Sequence, residues 1–182
     1  MPALIRTSQT CQWRYRLGMV EMHLRGMRVE LPSHNPLLLL QETTGDHRTL
    51  PIYIGPAEAQ AIDFVQRGVE PPRPMTHDLM RDLLEELGAT VECIVITELR
   101  DRTFFAEIRI VTRGARHTVS ARPSDAVALA VRVDAAIYAE EDLLDAEGVI
   151  LPADDEEDGN DADELVSEFR DFIDGISPED FG

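Results

Sequence analysis

The alternation of apolar and polar residues becomes regular at residue 19 and predicts where structure begins. Between Met19 and Arg25 every second side chain is apolar, which is the period of a strand with one buried face. Two aliphatic runs, at residues 37–40 and 50–54, then flank the turn-forming residues 43–47. Two apolar runs separated by such a turn predict a β-hairpin.

A second hairpin follows from the same pattern, with strands at residues 91–99 and 104–112 joined across a polar turn. A further strand at residues 117–121 runs directly into an almost wholly apolar helix that begins at Pro123. Proline suits the first position of a helix because the amide hydrogen that it lacks has no partner there. Because its surface is apolar, this helix should be covered on most sides.

Pro56 stands at the start of another predicted helix and matches Pro123 closely. Each proline follows a predicted strand, and each is followed two positions later by an acidic residue that complements the helix dipole. Superposing Pro56 on Pro123 aligns three strands and a helix within residues 19–68 with the same elements within 90–133. We therefore predict an α+β fold with a mixed, strongly curved β-sheet, built from two β-β-β-α units that arose by internal duplication.

An extra helix is predicted between the two units, beginning near Thr76, which is a favourable N-cap residue. The face opposite its apolar stripe is polar and charged, which indicates a helix on the protein surface. A short strand at residues 136–139 and a helical turn at 140–146 complete the predicted domain. The apolar stripe of the extra helix consists of Leu79, Met80, Leu83, Leu84 and Leu87.

Charge divides the chain into a neutral body and an acidic tail. The net charge is −18, and residues 140–182 contribute −17 of it through eighteen acidic residues and one Arg. We predict an N-terminal extension at residues 1–18, one domain at 19–150, and an acidic linker with a C-terminal amphipathic helix at 151–182. The helix is indicated by apolar residues at helical spacing, namely Leu165, Phe169, Phe172, Ile173 and Ile176.

The N-terminal extension has two interpretations. Its basic and aromatic side chains, among them Trp13 and Arg14, are typical of nucleic-acid contacts. A loose terminal extension, or translation that starts at Met19 instead, accounts for the same residues more simply because chain ends are commonly disordered.

Composition argues against several classes of protein. Cys11 and Cys93 are far apart and form no Cys-x-x-Cys pair, so neither a disulfide framework nor a zinc site is expected. The longest aliphatic run is residues 37–40, which is far too short to span a bilayer. The first residues lack the apolar core of a signal peptide. We predict a cytoplasmic protein with no membrane contact.

Four short motifs occur in a fixed order along the predicted domain. They are Leu50-Pro-Ile-Tyr-Ile-Gly55 with Glu58-Ala59, Arg73-Pro-Met-Thr-His-Asp-Leu79, Thr103-Phe-Phe-Ala106 and Arg122-Pro-Ser-Asp-Ala126. The region in which they occur, about residues 19–144, resembles the bifunctional nuclease (BFN) domain family, which is named for activity as both DNase and RNase. The resemblance implies a mixed α+β fold around a sheet, a dimeric assembly, and DNA and RNA as substrates.

The residues around the predicted helix starts suit phosphodiester hydrolysis. This reaction needs an activated water, positive charge on the non-bridging oxygens, and a proton for the leaving oxygen. Arginines before helix starts, together with free backbone amides, bind phosphate, and carboxylates are the ligands that Mg²⁺ or Mn²⁺ uses. The predicted site has His77, Asp78 and Asp125 as catalytic residues, Arg73, Thr76, Arg122 and Ser124 as substrate-binding residues, and Glu58, Asp78 and Asp125 as metal ligands.

Each candidate also has a purely structural interpretation. Asp125 and Glu58 complement helix dipoles, and Arg122 can pair with a buried carboxylate to close its turn. His77 lies at the edge of the apolar stripe of its helix, whereas Asp78 points to the polar face, so the two form a weak metal signal.

Three hypotheses for function stay open. They are a nuclease, as the resemblance implies; a non-catalytic regulatory or nucleic-acid-associated module; and a binder of small phosphate compounds. A neutral body argues against an ordinary nucleic-acid binder, because such binding draws on counterions released at basic surfaces. Exposed sheet edges and the extra amphipathic helix further predict a homodimer.

Overall fold

Seven strands and four helices make up the structure, a computed structural model that describes residues 18–30 and 35–151. The strands are β1 (Met19–Glu30), β2 (Asn35–Glu42), β3 (Thr49–Tyr53), β4 (Ala89–Arg100), β5 (Thr103–Thr112), β6 (Ala115–Ala121) and β7 (Ala136–Glu140). The helices are α1 (Pro56–Gln66), α2 (Thr76–Glu86), α3 (Pro123–Val133) and α4 (Glu141–Glu147). The predicted N-terminal extension and acidic tail lie outside the described residues, apart from Gly18 and Leu151.

The strands form one mixed sheet in the order β3-β2-β1-β7-β4-β5-β6. Every neighbouring pair is antiparallel except β4 and β7, which run parallel. Each group of three consecutive strands is a meander whose first strand borders β7 and whose last strand lies at an edge of the sheet. The α+β class, the mixed sheet and the two β-β-β-α units are confirmed, whereas the curvature and the origin by duplication stay predictions.

Helices α1 and α3 begin at Pro56 and Pro123, as the sequence predicts. Neither N-cap residue supplies a side-chain hydrogen bond, so the proline and the acidic residue of the first turn mark both starts. Helix α3 lies in the centre of the core, with every residue from Ala126 to Ala130 buried. The prediction that this helix is covered on most sides is confirmed.

Helix α2 differs from its prediction at its start and along its apolar stripe. Thr76 is the first helical residue rather than the N-cap, because the Met75 amide donates to Asp78 Oδ2 at 2.9 Å. Met80 and Leu84 pack against the core, but the other leucines of the stripe face outward. The surface location is confirmed. The exposed leucines are Leu79, Leu83 and Leu87, with 52, 54 and 69% of their area accessible.

The sheet carries an apolar cluster on each face. The larger cluster lies beneath the helices and includes Ile94 of β4 and Leu129 of α3. A smaller cluster lies on the opposite face, since successive strand residues such as Cys93 and Ile94 point to opposite sides. This second cluster consists of Met19, Cys93, Val95 and Tyr138.

No helix within the described residues is long and apolar enough to cross a membrane. Helices α1, α2 and α3 have eleven residues each, about half of what a bilayer requires. The predicted cytoplasmic location is not tested by this finding and stays a prediction.

Candidate functional site at three helix starts

The first turns of α1, α2 and α3 meet and contribute one charged cluster. Glu58 lies in the first turn of α1, His77 in that of α2 and Asp125 in that of α3. Arg122 is the N-cap residue of α3. The four side chains contact one another in the order His77, Asp125, Arg122, Glu58, and we call them the helix-start cluster.

His77 and Asp125 form the inner end of this cluster. His77 Nε2 lies 3.1 Å from Asp125 Oδ1, and the His77 side chain is only 9% exposed. Burial raises the pKa of Asp125, but hydrogen bonds from Arg122 and His77 outweigh it and hold this pKa below its usual value. Because ionised Asp125 only accepts hydrogen bonds, Nε2 of His77 carries a proton. Nδ1 is therefore the nitrogen of His77 that is left for another partner.

Arg122 is the solvent-exposed member of the helix-start cluster and joins α3 to α1. Its Nε donates to Asp125 Oδ2 at 2.7 Å and a terminal nitrogen donates to Oδ1 at 3.0 Å, which is the bidentate arrangement that a guanidinium and a carboxylate favour. The other terminal nitrogen lies 2.9 Å from Glu58 Oε1. Hydrogen bonds to Asp125 are the main reason that the pKa of Arg122 is raised. Although it makes these contacts, the Arg122 side chain is 66% exposed.

The Glu58 carboxylate packs directly against Gly55. A Cβ atom at Gly55 would overlap Glu58 Oε2, because the carboxylate folds over the glycine. The φ of Gly55 is −77°, which any residue adopts, so a side chain here would meet only the Glu58 carboxylate, which is the end of a flexible side chain and can move aside.

Asp78 points away from the helix-start cluster. Its Oδ2 accepts the Met75 amide at 2.9 Å, and its Oδ1 accepts Arg132 Nε at 2.6 Å. Arg132 also donates to the carbonyl oxygens of Ala61 and Ala128 at 2.9 and 2.8 Å. Burial raises the pKa of Asp78, but hydrogen bonds from Arg132 and Met75 outweigh it, so the pKa is lowered overall. Asp78 thus fixes the first turn of α2 against α3, and each of its oxygens already accepts a protein donor.

The predicted substrate-binding residues are spread over more than one location. Arg122 belongs to the helix-start cluster, Thr76 is exposed and Ser124 is buried in the first turn of α3. Arg73 is exposed and lines a cavity of about 500 Å³ together with Asp78 and Arg132. None of the four cluster residues lines this cavity, so Arg73 shares the cavity with Asp78 and not with the cluster.

The predicted metal ligands Glu58, Asp78 and Asp125 do not come together. Glu58 and Asp125 both bind Arg122, whereas Asp78 binds Arg132. Within residues 18–30 and 35–151, no three His, Cys, Asp or Glu side chains are placed to hold a metal ion. A guanidinium stands between the two carboxylates of the cluster, so these residues as arranged do not fit Mg²⁺ or Mn²⁺.

Two residues that shape the site were missed at the level of sequence. Arg132 had a visible signal, because it is the one basic residue of α3 and follows an unbroken apolar run from Ala126 to Val131, and a buried charge needs a partner. Gly55 had none, because a glycine before a helix is common and its contact with Glu58 depends on the folded position of that side chain.

Known proteins and one protein family match most of the described residues. Residues 38–152 match the family described as bifunctional nuclease domain. Two proteins of Mycobacterium tuberculosis, from strains CDC 1551 / Oshkosh and ATCC 25618 / H37Rv and both named as uncharacterized, are 47% identical over 165 residues, which is 90% of this chain and 98% of each relative. Bifunctional nuclease 2 of Oryza sativa subsp. japonica is 24% identical over 137 residues, which is 73% of this chain and 42% of that protein.

Proposed function

Because the chain belongs to the bifunctional nuclease domain family, we propose that it hydrolyses phosphodiester bonds in DNA and RNA. The observation that supports this most is the contact between His77 and Asp125 beside the exposed Arg122. This arrangement places His77, a group that can transfer a proton, near Arg122, whose positive charge can bind phosphate. Proton transfer and positive charge are two of the requirements of this reaction. The name of the plant relative, a bifunctional nuclease, points the same way.

Arg122 is the proposed phosphate-binding residue. Its bidentate contact with Asp125 fixes the guanidinium, and the terminal nitrogen that contacts Glu58 is the one that a non-bridging phosphate oxygen takes over. The free amides in the first turns of α1 and α3 add positive potential at the same place. Glu58 has to move aside when the phosphate binds, so it limits affinity for anions that make no other contacts.

His77 is the proposed acid and base, and Asp125 is its positioning residue. Asp125 accepts a hydrogen bond from Nε2–H of His77 and so leaves Nδ1 as the nitrogen that exchanges a proton. Because the His77 side chain is only 9% exposed, the proton passes to the substrate through one water molecule. Asp78 and Arg132 hold the turn that carries His77 and take no part in the chemistry.

The test is cleavage of a single-stranded DNA oligonucleotide and of RNA with the same sequence by rigorously purified protein. We expect His77→Gln to lower the cleavage rate by about 10²–10⁴-fold, which is the usual contribution of general acid–base catalysis. His117→Gln is the matched control, because His117 is exposed on edge strand β6. Both variants are assayed in EDTA, Mg²⁺ and Mn²⁺. Equal cleavage by the His77→Gln variant and the wild type would exclude this assignment.

A second candidate is binding of small phosphate compounds without hydrolysis. Its support is that the exposed guanidinium of Arg122 stands between the first turns of α1 and α3, an arrangement that binds anions without any acid or base. Saturable binding of inorganic phosphate that Arg122→Gln abolishes, with no cleavage of either oligonucleotide, would favour this candidate over the nuclease. A regulatory module that binds nucleic acid would instead retain the oligonucleotides without cleaving them.

We propose that the chain forms a homodimer through the exposed leucines of α2. Leu79, Leu83 and Leu87 follow one another at intervals of four residues and are all more than half exposed. A second copy of α2 covers this stripe symmetrically, as isologous dimers require. Light scattering at micromolar concentration is expected to give the dimer mass for the wild type and the monomer mass for Leu83→Glu. A wild-type monomer would contradict this assembly.

A further inference from the structure

A cavity of about 500 Å³ lies where the end of α1, the start of α2 and the end of α3 approach one another, since Phe64, Asp78 and Val131 all line it. Its volume is within the range of about 300–1,000 Å³ that small-molecule sites have. None of the four residues of the helix-start cluster lines this cavity. The proposed cleavage of phosphodiester bonds therefore assigns no ligand to it.

One wall of this cavity is a loop whose shape proline restricts. After α1, the Val69 amide donates to the Phe64 carbonyl oxygen at 2.8 Å, and the chain then runs through Glu70-Pro-Pro-Arg-Pro74. Proline fixes its own φ and holds the residue before it in an extended conformation. Glu70 and Arg73, the two charged residues of this stretch, each precede a proline and line the cavity. The loop therefore presents both charges to a ligand with little further loss of backbone freedom.

Arg73 gives the cavity a positive charge that no described protein group neutralises. Of the three arginines that line the cavity, Arg132 binds Asp78 at 2.6 Å. Arg81 binds Asp82 at 2.7 Å. By contrast, no residue that the structure describes forms a hydrogen bond or an ion pair with the exposed Arg73 side chain. Because a guanidinium binds a phosphate through two parallel N–H donors, Arg73 is free to hold the phosphate group of a ligand.

Glu70 supplies acceptors for hydroxyl groups and limits the negative charge that the cavity can take. It is exposed, and among the described residues its side chain has no hydrogen-bond or ion-pair partner. A carboxylate accepts hydrogen bonds from ribose hydroxyl groups, as acidic residues do in dinucleotide-binding folds. The same negative charge repels any further phosphate groups. One unpaired guanidinium and one unpaired carboxylate on the same loop therefore suit a sugar that carries a single phosphate.

The apolar residues that line the cavity suit a ring. Nucleobases stack on aromatic side chains whatever their identity, because every base has a π-face. We propose that the cavity binds a nucleoside monophosphate, with its base against Phe64, its ribose hydroxyl groups on Glu70 and its phosphate on Arg73. Apart from the prolines of the loop, the apolar lining consists of Phe64, Val65, Val69 and Val131.

Calorimetric titration of the full-length chain with 5′-AMP in EDTA tests the proposal. The protein carries Arg122→Gln, which removes the phosphate-binding residue proposed for the helix-start cluster, so the result does not depend on the proposed nuclease activity. We expect one AMP to bind per chain, and Arg73→Gln to weaken this binding by at least about tenfold, because it removes a charge-assisted contact. Arg113→Gln is the matched control, because Arg113 is exposed in the β5–β6 turn and outside the cavity. The absence of saturable binding, or equal affinity in the two variants, would overturn the proposal.

Fragments of the nucleotide test the base and the phosphate separately. Ribose 5-phosphate lacks the base and adenosine lacks the phosphate, so each should bind at least about tenfold more weakly than AMP. Equal affinity for ribose 5-phosphate and AMP would show a site for phosphate alone and would overturn the proposal. Val69→Trp fills the cavity from a position that is 43% exposed and tolerates a larger side chain. It should abolish AMP binding while far-UV circular dichroism stays unchanged, and full AMP affinity in this folded variant would place the nucleotide elsewhere.

Discussion

His77 and Asp125 are forty-eight residues apart in the sequence, and their side chains meet at 3.1 Å. The next residue, Asp78, binds Arg132 at 2.6 Å near the other end of α3. Two consecutive residues of α2 thus hold α3 at both of its ends, one through the proposed site and one through a buried ion pair. The ion pair determines where His77 stands.

Arg132→Met should therefore affect both stability and activity. The Arg132 side chain is 3% exposed, and its loss leaves Asp78 in a poorly hydrated place without a partner. Removing one member of a buried pair costs about 3–5 kcal/mol. Urea unfolding measures this cost, and cleavage by the folded fraction should fall as well because the turn that carries His77 is released. A loss of less than about 1 kcal/mol would mean that the pair does not anchor α2.

Arg48→Met should destabilise the protein without changing the site. Arg48 binds Glu42, Glu141 and Asp145 and so joins the β2–β3 turn to α4. Glu42 is buried, and its hydrogen bond from Arg48 is the main reason that its pKa is lowered. We expect a loss of about 3–5 kcal/mol in urea unfolding, with normal cleavage by the folded protein. Arg67→Met, which removes a pair on the surface of α1, is the control and should cost less than about 1 kcal/mol.

Gly55→Ala should separate activity from stability. The added methyl group displaces the Glu58 carboxylate, because it would overlap Oε2. The backbone of Gly55 accepts alanine, so the free energy of unfolding should change by no more than about 1 kcal/mol. Arg122 then loses Glu58 as a competitor, and its affinity for inorganic phosphate should rise, as it should in Glu58→Gln. Unchanged phosphate affinity in both variants would place the anion site elsewhere.

Stability should fall in acid through Asp78 and Asp125. Both pKa values are lower in the folded protein than usual. Their contribution is complete above the unfolded pKa of about 3.9 and is lost as pH falls through the folded values. Urea unfolding between about pH 6 and pH 3 should show this loss, and Asp125→Asn should flatten it. Asp134→Asn, at an exposed residue after α3, is the matched control, and an equal slope in the two variants would contradict the linkage.

Local signals in the sequence predicted the fold. The arrangement of the site depends on contacts between residues that are far apart in the sequence, and these contacts were not predicted. Pro56 and Pro123 correctly predicted two helix starts, because the signal for a helix start lies within about four consecutive residues. The N-cap of α2 was predicted at Thr76, one residue too late, because the Asp78 carboxylate, and not the threonine hydroxyl, satisfies the first amide. The direction of Asp78 depends on Arg132, fifty-four residues later, and no pattern in the sequence joins the two. The outward leucines of α2 were predicted as part of its apolar stripe, but periodicity shows only that a stripe exists and not how much of it is covered.

The proposed cleavage of phosphodiester bonds requires that His77 and Asp125 act as one unit. A double-mutant cycle measures this directly, with cleavage rates for His77→Gln, Asp125→Asn and the double variant on the same DNA oligonucleotide. Residues that act together are non-additive, so the double variant should cleave no more than about threefold more slowly than His77→Gln alone. Losses that multiply, or a single variant that cleaves at the wild-type rate, would contradict the claim that this contact is the centre of the site.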